Sequence, residues 1–359
     1  MASLADLGVR IGVLATGPTN SVVDVPGVGL GHSTVVYDDV PPPFGRGVAR
    51  TGVTVIDFGG DAWSHPVVAG VSVLNGAGEL TARSQVDEWG LLETPVFLTS
   101  TMQVGRVYDA ACRLLMSEQV RIGVDDVIIP AVGECDDSWL NDPRHMHVTD
   151  EHVAAALAAA RASAGSTTPP EQGAVGAGTG MSVFDHKGGI GTSSRVLSDG
   201  HVVGVVLLTN FGSWQRLTID GVAVGRELGR PAHVEPPPAG SCLGVVVTDA
   251  PIDHSGCERL ARRVGLGLAR TGSVATHGSG EIFLAAALGL RAPRDSAPSG
   301  VPFTGRDLNE YFEAVVDASE EAVLASMLAA HDVTGREART IPALPVEAVR
   351  RILAEGRHL

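Results

Sequence analysis

A mixed α and β protein built in layers is predicted by three features of the sequence. Runs rich in Val, Ile and Thr, broken by turn residues, recur along the chain as strands require. Between them lie helical segments, notably 102–116, 151–164 and 252–270. Glycine is abundant, 45 of 359 residues, without a collagen-like period, which predicts many tight turns and close backbone approaches.

Taken in order, residues 9–14 and 21–37 read as strands separated by the turn Gly17-Pro18-Thr19-Asn20, and a strand over 51–58 follows a Pro/Gly loop at 41–47. Val71-Ser72-Val73-Leu74 runs into the Gly-spaced turn Asn75-Gly76-Ala77-Gly78-Glu79-Leu80-Thr81, whose backbone N–H groups can approach a ligand. The turn carries neither GxxxxGK[ST] nor a complete dinucleotide fingerprint. A strand at 95–100 leads into the helix 102–116, with Val104, Val107, Tyr108, Ala111 and Leu115 on one side. A buried strand is predicted at 126–132, and beyond it Glu134, Asp136, Asp137 and Asp142 surround Trp139. Two readings stand there: a site for an ammonium group, through charge and cation–π contact, and a solvated acidic loop.

His145, His147 and His152 follow, at a spacing that matches no usual zinc signature, so no metal site is expected. Thr149-Asp150 caps the Ala-rich helix that runs to residue 164. After a Ser/Thr/Pro/Gly-rich loop comes a glycine-crowded stretch, 173–195, and a hairpin of strands 190–197 and 201–209 across Ser198-Asp199-Gly200. The second strand ends in Thr209-Asn210. An asparagine there can aim its amide N–H at a developing oxyanion, or serve as an ordinary turn residue.

The junction Gly240-Ser241 organises the remainder. Pro236, Pro237 and Pro238 deliver the chain extended and restrained, glycine admits backbone angles closed to other residues, and Ser241 opens an apolar strand that runs to Thr248. A serine hydroxyl needs a base to act as a nucleophile. If Ser241 attacks the carbonyl of Gly240, an N-to-O acyl shift and hydrolysis free an α-amine on Ser241, with a reference pKa of roughly 7.7 to 8.0, so one residue supplies nucleophile and base. Alone, Gly-Ser is also a common loop-to-strand junction. Downstream, a helix at 252–270 carries Arg262, Arg263 and Arg270 in its later part, and Ser279-Gly280-Glu281 precedes an apolar strand that would put hydroxyl and carboxylate on one face. Helices at 305–329 and 346–355 close the chain.

Composition bounds the function. With 26 basic and 41 acidic residues the formal net charge is −15, which argues against nucleic acid as a partner and for a soluble protein. The longest apolar runs are too short to span a bilayer, and residues 1–7 lack the pattern of a signal peptide. Cys112, Cys135, Cys242 and Cys257 lie far apart with no CxxC, as expected of buried small hydrophobes in a reduced, cytoplasmic protein. No internal repeat is present, and the one candidate boundary is the loop at 228–240, so 1–359 reads as a single domain.

Together these stretches resemble the D-aminopeptidase (L-aminopeptidase D-esterase) and β-peptidyl aminopeptidase family of self-processing hydrolases with an N-terminal nucleophile. The likeness is carried by Gly8-Val9-Arg10-Ile11-Gly12, Asp24-Val25-Pro26-Gly27-Val28, Leu74-Asn75-Gly76 with Gly78-Glu79, the 173–195 stretch, Asn210, Gly240-Ser241, Thr248-Asp249-Ala250-Pro251, Leu268-Ala269-Arg270-Thr271-Gly272 and Gly278-Ser279-Gly280-Glu281. The resemblance implies an α+β fold, a four-layer αββα sandwich whose strand connectivity differs from other N-terminal-nucleophile hydrolases. It implies cleavage between Gly240 and Ser241 into chains 1–240 and 241–359, and a homo-oligomer of cleaved units. Ser241 would be the nucleophile, Ser279 and Glu281 would tune it and its amine, Asn210 would stabilise the oxyanion, and Glu134 would hold the substrate's free amino group.

One position departs from the family pattern: Trp139 stands where the family usually has tyrosine, and indole offers only a donor N–H on a larger body, which reshapes the substrate pocket. The activity implied is release of an N-terminal residue from short peptides, amides or esters, with no metal or organic cofactor. Two other readings stand beside it. One is acyl transfer to an amine, as in the similarly folded ornithine acetyltransferases, which use threonine where Ser241 stands. The other is a catalytically inactive homologue that binds amines.

Overall fold

Two β-sheets stack face to face, each covered on its outer side by helices. The computed structural model describes residues 3–231, 240–297 and 300–356. The chain begins with β1 (Gly29–Tyr37), β2 (Ala49–Asp57), β3 (Val67–Gly76), α1 (Arg83–Trp89), β4 (Leu91–Leu92), β5 (Val96–Ser100), α2 (Val104–Glu118), β6 (Ala131–Cys135) and α3 (Asp150–Ser163). Then come a short hairpin, β7 (Ser182–Val183) and β8 (His186–Lys187), a long one, β9 (Ile190–Val196) and β10 (Val202–Asn210), and α4 (Val224–Leu228). The last third adds β11 (Ser241–Thr248), α5 (His254–Thr271), β12 (Gly280–Ala287), α6 (Asn309–Leu328), the hairpin β13 (Val333–Thr334) and β14 (Thr340–Ile341), and α7 (Val346–Gly356).

One sheet has the strand order β1-β2-β5-β6 and the other β4-β3-β12-β11-β10-β9. Alternation along each strand sorts the side chains into layers. Leu243, Val245 and Val247 of β11 meet Leu30, Ile56 and Leu98 of the smaller sheet in a core between the sheets. The other face of the larger sheet, with Val205 and Phe283, packs on Val264 and Leu268 of α5 and on Val315 and Val323 of α6. Val107 and Ala111 of α2 and Val153 and Leu157 of α3 cover Val53 and Phe97 on the outside of the smaller sheet. The layers therefore run helix, sheet, sheet, helix, the expected αββα sandwich. Within the larger sheet β11 and β12 are parallel, and α5 is the crossover that parallel strands need.

Local signals hold each end of that crossover. Asp253 caps α5 by accepting a hydrogen bond from the Gly256 N–H at 2.8 Å, and Gly272, at φ 110°, ends it. Thr149 and His152 form a reciprocal cap at the start of α3. All four cysteines are free, three of them buried. No helix among the described residues is long and apolar enough to cross a membrane.

Three sequence expectations are corrected. Residues 9–14 are not a strand: Gly8 and Gly12 have positive φ, and the Ile11 carbonyl is taken by Arg195 rather than by a neighbouring strand. Residues 22–24 form a 3₁₀ turn, so the strand expected from 21 begins at Gly29. The strand expected at 126–132 lies instead at Ala131–Cys135. Its partner β5 starts at Val96, paired with Ala131, and Pro130 has no N–H to extend the ladder, while Val127 and Ile129 are exposed.

Candidate active site

Ser241 is the first residue of β11 and is 6% exposed. It pairs with Asn210 on antiparallel β10 and with Gly280 on parallel β12, so three strand termini meet there. Ser241 shares its strand face with Leu243 and Val245, and Asn210 shares its face with Val206 and Leu208, all members of the inter-sheet core. Both side chains therefore point into the mouth between the sheets. Cys135, at the end of β6, lies close to Ser241, and its thiol donates to the Leu208 carbonyl at 3.5 Å. Burial pushes that thiol far above its ordinary pKa, so it stays protonated.

Asn210 is held at both ends. Its Oδ1 accepts the Ser182 N–H at 3.0 Å and its Nδ2 donates to the Asp136 carbonyl at 2.8 Å. A backbone donor on one side and a backbone acceptor on the other fix the orientation of the amide. The second N–H of Nδ2 is left for another acceptor.

Gly240 packs against this pair. A Cβ at Gly240 would lie 1.9 Å from the Asn210 carbonyl oxygen and 2.8 Å from Phe211 Cα, so glycine is required there by space. Residues Pro236, Pro237 and Pro238 lie outside the described residues.

On the other side of Ser241, the Ser279 hydroxyl donates to Glu281 Oε1. Glu281 is 1% exposed; burial pushes its pKa up, opposed by the Ser279 hydrogen bond. Its Oε2 is buried with no hydrogen-bond partner among the described residues. An unmatched carboxylate oxygen of this kind favours an incoming donor.

The turn at 75–79 ties these groups to Glu134. Asn75 pairs with Glu281 across the β3–β12 ladder, and a Cβ at Gly280 would meet the Ala77 carbonyl at 2.4 Å. Gly78 lies between Gly280 and Glu134: a Cβ there would stand 3.7 Å from Gly280 Cα and 3.0 Å from Glu134 Oε1. Glu134 Oε1 accepts the Glu79 N–H at 2.9 Å, and Oε2 accepts the Thr101 hydroxyl. Burial raises the Glu134 pKa against these two bonds. The Glu79 N–H thus holds a carboxylate of the chain itself rather than a ligand.

The acidic loop does not act as one cluster. Asp136 orders its own turn through Ser138, and Asp142 is bound by Arg144 at 2.6 Å. Asp137 is buried beside Asn141, with its pKa pushed up to about 7 by that burial. Trp139 packs with Leu140, Val333 and Ile341, and the Arg339 guanidinium lies 4.0 Å over its ring. That face of the indole holds an internal cation, and of the four acids Glu134 is the one whose carboxylate meets the 75–79 turn that packs on Gly280. His147 and His152 have structural partners, Tyr37 with the Asp142 carbonyl and Thr149 respectively. No group of three or more His, Cys, Asp or Glu able to hold a metal occurs among the described residues.

Sequence reasoning missed Cys135 as a contact of Ser241 and Thr101 as a partner of Glu134. Cys135 had one legible signal, its position directly after Glu134. Thr101 had none. A separate cavity of about 460 Å³, lined by Asp57, Trp63 and Glu118 among others, lies at the opposite end of the smaller sheet from Glu134 and takes no part in this arrangement.

An αββα sandwich with a serine opening a central strand, beside a strand-end asparagine and a Ser–Glu pair, defines a serine hydrolase of the N-terminal-nucleophile type. Over residues 20–341 the chain matches Peptidase family S58 and belongs to it. It is 36% identical to the β-peptidyl aminopeptidase BapA of Sphingosinicella xenopeptidilytica, over 94% of this chain and 87% of that one. Two solved structures share the whole architecture. A β-aminopeptidase from Burkholderia sp. superposes with a TM-score of 0.86 at 38% identity, covering 99% of both chains. The L-aminopeptidase D-Ala-esterase/amidase of Ochrobactrum anthropi, described as a prototype for the serine aminopeptidases and a new variant of the Ntn hydrolase fold, superposes with a TM-score of 0.90 at 32% identity, again over 99% of both. The chain is accordingly a hydrolase of the aminopeptidase class, and the acyl-transfer and inactive-binding readings are not favoured.

Proposed function

We propose that the chain matures by cleavage between Gly240 and Ser241 and then releases N-terminal residues from short peptides, amides or esters that carry a free amino group. The observation that carries this reading is that Ser241, opening β11, pairs with Asn210 at the end of β10 and with Gly280, the residue between Ser279 and Glu281, at the start of β12. In the cleavage step Ser241 Oγ attacks the Gly240 carbonyl, the acyl group moves from nitrogen to oxygen, and water hydrolyses the ester. The products are chains 1–240 and 241–359, the second beginning with a free amine.

In turnover that amine takes the Ser241 hydroxyl proton as Oγ attacks the substrate carbonyl. The remaining N–H of Asn210 Nδ2 stabilises the tetrahedral oxyanion. The amine passes its proton to the leaving group, and water then hydrolyses the acyl-enzyme. Glu281, with Ser279 on one oxygen and the other oxygen unmatched, accepts from the Ser241 ammonium and sets its basicity. Glu134 holds the substrate ammonium. Cleaved units assemble into a homo-oligomer in the cytoplasm.

The test is intact mass under denaturing conditions, beside a Ser241→Ala variant. Two species that break between Gly240 and Ser241, absent from the variant, are expected. A single uncut chain in both samples would overturn the reading. Substrate choice follows from a panel of L-, D- and β-residue amides, with β-residues first because curated relatives are β-peptidyl aminopeptidases.

A further inference from the structure

Lys187 on β8 is fully buried, and its ammonium has three partners, all backbone carbonyls: Gly178 at 3.0 Å, Met181 at 2.6 Å and Gly188 at 2.7 Å. No carboxylate pairs with it among the described residues. A buried cation without a counter-ion is costly, and it is retained only where its hydrogen bonds are complete. Three acceptors match the three N–H donors of an ammonium, whereas a neutral amine has two. Burial pushes the Lys187 pKa down to about 7.

The Met181 carbonyl has a second significance. It belongs to the Met181–Ser182 peptide group, whose N–H donates to Asn210 Oδ1 at 3.0 Å. The ammonium and the asparagine therefore sit on opposite ends of one peptide unit. Drawing electron density toward the carbonyl oxygen makes the peptide N–H a stronger donor, and a stronger bond to Oδ1 polarises the carboxamide in turn. The Nδ2 hydrogens at the far end become better donors. The same contacts hold the loop between Gly178 and Gly188 against β10, where Gly189 N–H donates to the Thr209 hydroxyl and Phe184 N–H to the Phe211 carbonyl.

We propose that Lys187 is a positioning residue that orients and polarises the Asn210 amide through the Met181–Ser182 peptide group. This role rests on Asn210 being the oxyanion donor. It assigns a catalytic consequence to a lysine that touches neither substrate nor nucleophile.

The experiment is a double-mutant cycle in the full-length chain. Lys187→Met and Lys187→Gln are each made with and without Asn210→Ala, and kcat and KM on a chromogenic amino-acid anilide are referred to the amount of cleaved chain measured by mass spectrometry. Each Lys187 variant is expected to lower kcat at least about tenfold, a part of the roughly 10²–10³ that loss of a whole oxyanion donor costs, with KM changed less than about twofold. In the Asn210→Ala background the further loss is less than about twofold, because the two residues act in series. Where a variant does not mature, the same cycle is read on the rate of self-cleavage, which passes through the same kind of oxyanion.

Independent multiplication of the two losses overturns the proposal, as does a folded Lys187 variant with wild-type kcat. Failure of both Lys187 variants to fold also overturns it, since the residue then serves the fold alone. An Asn210→Ala variant with unchanged kcat removes the Asn210 assignment and this role with it. An Asn210→Ala variant that slows catalysis while the Lys187 variants do not removes the role of Lys187 only.

Discussion

Asn210 and Ser241 form the terminal pair of the β10–β11 ladder, so the amide and the hydroxyl emerge side by side from one face of one sheet. Their separation is set by strand spacing and backbone hydrogen bonds. The backbone of each residue is held by the ladder itself, which suits a site that must hold a donor and a nucleophile in fixed register.

The same ladder makes Gly240 sensitive to a single methyl group. Gly240→Ala places a Cβ 1.9 Å from the Asn210 carbonyl oxygen, which is backbone and cannot turn aside. The strand start must shift, at a cost of about 1–3 kcal/mol. Gly240→Ala is expected to slow self-cleavage at least about tenfold. A gel time course after synthesis checks this, and wild-type kinetics would show that the close approach is not needed.

Glu281 carries an opposite pair of effects on stability and activity. Because burial raises its folded-state pKa, the folded chain holds the proton more tightly than the unfolded chain. Stability is then lost as pH rises from the ordinary glutamate range through the raised value. Glu281→Gln removes that cost while its Oε1 still accepts from Ser279. In the uncut chain, held so by Ser241→Ala, the Glu281→Gln change is expected to leave melting at neutral pH at or above that of the parent, with the difference closing in acid, while in the cleavable chain it lowers kcat about 10²-fold or more. A variant that melts lower and stays active contradicts both halves.

Glu134 must be ionised to hold an ammonium, and burial raises its pKa. Substrate binding should therefore weaken, as pH falls, at a pH above the ordinary glutamate range. Replacing it by glutamine removes a charge-assisted bond, and KM should rise roughly 10- to 100-fold. The KM–pH profile of Glu134→Gln should lose this acid limb. Retention of the limb would assign it to another group.

Arg195 is fully buried and pairs with Glu321 at 2.6 Å while also donating to the Ile11 carbonyl. Glu321→Ala leaves a buried guanidinium uncompensated, so a loss of about 3–5 kcal/mol is expected. Urea denaturation reads it directly. A change within about 0.5 kcal/mol would mean that water replaces the carboxylate.

The long elements were legible because their signals are local. The hairpin at 190–209, the strand from Ser241 and the helices α2, α3 and α5 sit within a few residues of their predicted limits, since apolar periodicity and caps act over one or two turns. The strand predicted at 126–132 failed for the opposite reason. Its Val and Ile content is right for a strand, yet pairing needs a neighbour in register, and β5 supplies one only from Val96 onward.

What the sequence determined by itself was where the candidate side chains and the strands that carry them lie along the chain. Ser279 and Glu281 are two residues apart, so their contact follows from the chain alone. Tertiary structure decided the rest. Asn210 lies 31 positions before Ser241 and Glu134 lies 107 before it, and a strand's partner is chosen by the burial of whole sheet faces rather than by any residue in the strand. The same holds for Trp139, whose ring is taken by Arg339 from 200 residues away, and for Lys187, which reaches Asn210 through one peptide group. Such contacts cost chain entropy to form, and only the packing of all four layers offsets it.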